Sequence, residues 1–106
     1  MNVFAWFIFL AAALLEVIGD ATARRGLRSG SILFVLAGCG MLAGYGLVVN
    51  SVKWDFSRLL GVYVGFFALV SVLFGRIVFH ERIPPATWLG LILIMTGCII
   101  IQFGRR

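Results

Sequence analysis

The sequence predicts an all-α integral membrane protein, a bundle of four transmembrane helices. Three observations lead there. Hydrophobic residues make up 62% of the 106-residue chain and charged residues only 12%. The mean hydropathy is +1.11. A soluble domain of this length keeps much of its surface in water and could not hide so much apolar area, whereas a bilayer solvates it. Finally, the charges are spaced so that they cut the chain into four apolar runs. Each run has about 20 residues, which as a helix matches a hydrocarbon core of about 30 Å.

The first run, 3–23, is interrupted only by Glu16 and Asp20. Its long apolar stretch, the lack of a basic segment before it and the spans that follow argue against a removable signal peptide. The cluster Arg24, Arg25, Gly26, Leu27, Arg28, Ser29, Gly30 is expected to form a basic turn. The second run, 31–52, carries no charge, and Lys53, Trp54 and Asp55 break it. The third, 56–78, has Arg58 near its start and Arg76 near its end. His80, Glu81 and Arg82 precede the fourth run, 83–103, which opens on Pro84 and Pro85, where a helix's first-turn amides need no partner. One domain, 1–106, is predicted, with short turns that make consecutive helices run up and down.

Cys39 and Cys98 each fall inside a span, so neither a disulfide framework nor a metal site is expected, and no cofactor is implied. The basic residues sit at helix ends, which makes anionic lipid headgroups, rather than nucleic acid, the expected partner. Four spans put the N-terminus, the second turn and the C-terminus on one side, with Lys53, Arg58, Arg105 and Arg106. The other side holds Arg24, Arg25, Arg28, Arg76 and Arg82. Four against five gives the positive-inside rule little to act on. A chain without bias can insert both ways, and two copies can then pair head to tail like inverted repeats. Four helices alone also enclose too little space for a water-lined path. Both arguments point to an antiparallel homodimer. A fixed orientation, and pairing with a sister chain of opposite orientation, stay open.

Glu16 is the leading candidate for chemistry. It precedes Arg24 by eight residues, about 12 Å of helix rise. A carboxyl group placed so deep is costly and usually faces a bundle interior or a cavity in the service of transport. Such a group can hold either a proton or a cationic substrate, and that mutual exclusion is what proton-coupled antiport requires. The alternative is a protonated Glu16 hydrogen-bonded between helices. Asp20 and Arg24 follow Glu16 at one-turn intervals on the same face. Asp20 is either a second titrating group or half of an interfacial pair with Arg24. Arg58 is expected to snorkel or to pair with Asp55; facing the cavity, it would repel cations.

Tyr63 lies about 12 Å inside the third run, measured from the opposite membrane side. In an antiparallel dimer one copy's Tyr63 reaches the level of the other's Glu16, where its hydroxyl could bond the carboxylate and exchange with substrate. Phe56, seven residues earlier, shares its face. Ordinary packing is the alternative for both. Gly40 and Gly44 allow close approach of a neighbour, Gly61 and Gly65 form a candidate hinge, and Gly90 and Gly97 form a stripe suited to a dimer contact.

The length, the four spans, Ala13-Leu14-Leu15-Glu16-Val17-Ile18-Gly19 and Gly90-Leu91-Ile92-Leu93-Ile94-Met95-Thr96-Gly97 together resemble the small multidrug resistance family of the drug/metabolite transporter superfamily. The resemblance covers the whole chain. It implies a multi-pass protein of the bacterial inner membrane, an antiparallel dimer that exchanges protons for guanidinium ions or hydrophobic quaternary cations. Glu16 would be the shared site and Gly90 with Gly97 the dimer contact. The third helix departs from the pattern. Where exporting members carry Tyr, then Trp and Ser before Gly, this chain reads Phe56-Ser57-Arg58-Leu59-Leu60-Gly61, with Tyr63 just beyond, as in a divergent branch of similar proteins. Asp20 is also additional. Two other readings stay open: a flippase for lipids or lipid-linked sugars, with Arg58 meeting a phosphate, and a non-transporting subunit of a membrane complex. No nucleophile–base pair is visible, and no enzymatic activity is expected.

Overall fold

The structure is a computed structural model that describes residues 3–104. Arg105 and Arg106, counted above in the charge balance, lie outside the described residues. Four helices follow one another: α1 (Val3–Ser29), α2 (Ile32–Val49), α3 (Phe56–Ile77) and α4 (Pro85–Phe103). Each is long and apolar enough to cross a membrane, and no strand occurs among the described residues. The helices form two compact units, Met1–Lys53 and Trp54–Arg106, each a helical hairpin.

In the first hairpin the expected basic turn is helical instead: α1 runs on through Arg24, Arg25 and Arg28 to Ser29. Arginine and leucine favour helix and outweigh the single Gly26, so α1 continues to Ser29 and stops at Gly30. Gly30 has φ +76, a left-handed conformation that suits glycine. The Ser31 amide then donates to the Gly26 carbonyl at 2.9 Å, closing the helix end in a Schellman-type turn. Ser31 begins the next helix as well: its side chain accepts from the Phe34 amide at 3.3 Å. Two residues thus reverse the chain. At its far end α2 stops at Val49, earlier than the apolar run predicts. There the Asn50 side-chain amide donates to the Gly46 carbonyl (2.7 Å) and the Ser51 hydroxyl to the Val48 carbonyl (2.6 Å), a local alternative to further helix.

The two helices approach closely through small residues. A Cβ on Gly26 would stand 2.6 Å from the Val35 amide nitrogen, and one on Gly38 would stand 2.5 Å from that of Ala23. A Cβ on Gly19 would lie 3.2 Å from Leu42. On α1 the residues set against α2, Gly19, Ala23 and Gly26, recur at intervals of four and three, and the same helical period continued toward the N-terminus runs through Glu16, Ala12 and Phe9.

The second hairpin opens with Leu59 donating to the Asp55 carbonyl (2.8 Å) and reverses between Ile77 and Pro85. His80 there takes φ 55, and the Glu81 amide returns to the Gly75 carbonyl at 3.0 Å. Ile83 and Pro84 stay outside α4, because residues ahead of a proline disfavour helical backbone. Glycines again face the partner helix: a Cβ on Gly61 would stand 2.8 Å from Ile101 Cδ1, and one on Gly65 would stand 2.7 Å from Cys98 Sγ. Cys98 is buried, and its thiol donates to the Val62 carbonyl at 3.1 Å.

Candidate functional site

Glu16 is the central residue of α1, whose 27 residues leave thirteen on either side. Extending α1 through the basic cluster therefore deepens Glu16, to about 20 Å of helix rise from either end. It is half-buried and belongs to the stripe of α1 that faces α2. Which residue of α2 meets it follows from the register. Each step back along α1 is matched by a step forward along α2: Gly26 meets Val35, Ala23 meets Gly38, and Gly19 meets Met41 and Leu42. The next rung sets Glu16 opposite Tyr45. The neighbouring contact agrees, since a Cβ on Gly44 would lie 3.4 Å from Leu15. Tyr45 is half-buried, and the carboxyl groups of both Glu16 and Asp20 lie close enough to act electrostatically on its hydroxyl.

Asp20 is exposed and stands one turn from Glu16. The structure thus joins Glu16 and Asp20, which the sequence singles out, to Tyr45, which it did not. The missing signal was the register. Placing the turn across 24–30 left the pairing of α1 with α2 undefined, whereas the two-residue turn at Gly30 and Ser31 defines it.

The other candidates belong to the second hairpin. Phe56 opens α3 and is 73% exposed, while Tyr63 is buried at 4% exposure, so the seven-residue spacing does not give them a common environment. Arg58 donates through Nε to the Gln102 side-chain oxygen at 3.1 Å, and its guanidinium stacks 3.7 Å above the Trp54 ring. Gln102 is buried at 4% exposure. Gly61 and Gly65 lie where α4 packs on α3, as notches for Ile101 and Cys98. Gly90 and Gly97 have open space where a side chain would be, and Gly90 borders an apolar groove of about 470 Å³ with Val64, Ala68, Leu91 and Ile94. Among the described residues no group of His, Cys, Asp and Glu could hold a metal ion.

Four apolar helices, the first with a carboxyl group at its midpoint, define a multi-pass membrane protein. The comparisons are more particular. The family model described as "Uncharacterised BCR, YnfA/UPF0060 family" matches residues 3–106, and the chain belongs to that family. It is similar to a UPF0060 membrane protein of Rippkaea orientalis, 34% identical over all of this chain and 99% of the relative. A UPF0060 membrane protein of Herpetosiphon aurantiacus is 31% identical over the full length of both. Over 71 residues, 66% of this chain and 65% of the relative, it is 29% identical to the spermidine export protein MdtI of Salmonella paratyphi B. No solved structure gives a significant match.

Proposed function

We propose that the chain is a proton-coupled antiporter exporting small organic cations, of guanidinium or quaternary ammonium type. It would work as an antiparallel homodimer of the small multidrug resistance kind in the bacterial inner membrane. Glu16 holds a proton and the cation in turn. The observation that carries the reading is the place of Glu16, at the midpoint of α1 and on the stripe facing α2. An ionisable group at the centre of a membrane helix costs roughly 2.5–3.5 kcal/mol to insert, and exchange gives it a use that a scaffold lacks. The relative named as a spermidine export protein supports an amine cation as cargo.

On this reading the exchange is a competition. The protonated carboxyl group is neutral and releases its cation; the carboxylate binds a cation in its place, and the displaced proton leaves to water. Alternation between the two sides couples the fluxes. No enzymatic activity is assigned. On this reading Arg58, bonded to Gln102 and stacked on Trp54, anchors the second hairpin and is not a ligand.

The test is proton release from purified protein in weak buffer on adding guanidinium, quaternary ammonium and polyamine salts. Release by the native chain that is absent in Glu16→Gln supports exchange at Glu16. No release from any cation, with the native protein folded, sinks the antiport reading.

A further inference from the structure

We infer that Tyr45 is a specificity-determining residue of the Glu16 site, its hydroxyl orienting the carboxylate toward cations that carry N–H donors. The inference rests on the exchange proposed above and assigns that site's selectivity to a residue of the neighbouring helix. Three observations lead to it. The contacts of Gly26, Gly38 and Gly19 count the two helices rung by rung to Glu16 opposite Tyr45. Tyr45 is half-buried rather than turned wholly outward, and its hydroxyl lies within electrostatic reach of Glu16 and Asp20. The rungs between are glycine or alanine on at least one side, so nothing bulky holds the helices apart on the approach to this pair.

The chemistry follows from what each group offers. A carboxylate has about four acceptor positions, and a phenol has one donor. A tyrosine hydroxyl donating to one oxygen holds the carboxylate in a single orientation and leaves acceptors on a defined side. A guanidinium or primary ammonium ion uses those acceptors directionally, as a fork or as a set of N–H bonds. A quaternary ammonium ion has no N–H. It responds to charge and to the face of the tyrosine ring, through a cation–π contact that does not need the hydroxyl. Removing only the hydroxyl therefore affects the two cation classes unequally.

The test compares the native chain with Tyr45→Phe for dissociation constants of guanidinium and tetramethylammonium. The expected result is a roughly tenfold fall in the preference for guanidinium over tetramethylammonium, the scale of one lost hydrogen bond to a charged group. Because Tyr45 and Tyr63 are the only two tyrosines, fluorotyrosine labelling gives two ¹⁹F resonances, and the Tyr45 line is assigned by its loss in Tyr45→Phe. That line is expected to move in Glu16→Gln and on binding guanidinium. An unchanged preference, or a Tyr45 line indifferent to Glu16→Gln, overturns the inference even where the native chain binds both cations. If the native chain binds neither cation, the antiport reading fails and this inference with it; the line's response to Glu16→Gln still shows whether the two side chains touch. Should Tyr45→Phe fold poorly, Tyr45→Leu, which has no hydrogen-bond donor, must weaken guanidinium binding by a comparable factor, and unchanged guanidinium binding there overturns the inference.

Discussion

Gly38 of α2 rests against the main chain of Ala23 in α1, so that a Cβ on Gly38 would stand 2.5 Å from the Ala23 amide nitrogen and 2.7 Å from the Gly19 carbonyl oxygen. Backbone cannot rotate out of the way as the tip of a side chain can. Gly38→Val must push α1 and α2 apart or shift their register, at a cost of about 1–3 kcal/mol by the usual scale of overpacking. Gly40, two residues on, has open space where a Cβ would stand, with nothing within 4 Å. Thermal unfolding followed by circular dichroism in micelles is expected to show a lower midpoint for Gly38→Val. Gly40→Ala should be neutral or slightly stabilising, since alanine favours helix by about 1 kcal/mol. Equal behaviour of the two variants would refute the close approach. Because the same contacts set Glu16 opposite Tyr45, Gly38→Val should also weaken cation binding.

Arg58 and Gln102 tie the start of α3 to the end of α4 through a charge-assisted hydrogen bond, and Trp54 supplies a ring face under the guanidinium. Arg58→Lys keeps the charge but loses the planar group that serves both contacts. A double-mutant cycle with Gln102→Leu is expected to show a coupling of about 1 kcal/mol in unfolding stability. Arg58→Lys should lower stability while leaving the cation preference of the Glu16 site in place. A change of preference without a change of stability would instead make Arg58 a substrate ligand.

Cys98 and Gly65 meet so closely that a Cβ on Gly65 would lie 2.7 Å from Sγ and 3.0 Å from the Cys98 Cβ. Gly65→Ala is therefore expected to destabilise the second hairpin even though alanine is the better helix former. Cys98→Ala removes the sulfur and, with it, the thiol's bond to Val62. The pair should be non-additive: Gly65→Ala with Cys98→Ala is expected to be more stable than the two single losses predict, by about 1 kcal/mol. Strict additivity in thermal unfolding would contradict the notch and favour Gly65 as a hinge.

The helices were legible because their cause is local: apolar runs between charges, each of membrane length. Their ends were less so. The segment from Arg24 to Ser29 reads as a basic turn by charge, yet its arginines and Leu27 favour helix despite Gly26, and Gly30 has the left-handed backbone that stops it. The end of α2 depends on which carbonyls Asn50 and Ser51 reach, which no periodicity displays. Glu16 stood out because a carboxyl group in an apolar run is conspicuous by type. Tyr45 did not, because its significance lies in a pairing across two helices that a shift of a few residues in the turn would change. From the sequence Arg58 is expected to pair with Asp55 or to snorkel; its bond to Gln102 spans 44 residues of sequence and has no local signature.

The nearly even distribution of Lys and Arg, four against five, carries the prediction about orientation. A reporter fused to the C-terminus of the native chain is expected to be found on both sides of the membrane, because short-loop basic residues set topology and here they oppose one another. Adding Asn2→Lys and Ser51→Lys while removing Arg28 as Arg28→Gln makes the balance six against four, counted from the same residues. Lys53→Gln with Arg105→Gln makes it two against five. The first variant should place the C-terminus inside and the second outside. Neither variant alone should export cations if the working unit needs both orientations, and co-expression should restore export. Full export by either variant alone, in a single orientation, would exclude the antiparallel dimer while leaving exchange at Glu16 untouched, since that exchange needs only a carboxyl group reachable from each side in turn.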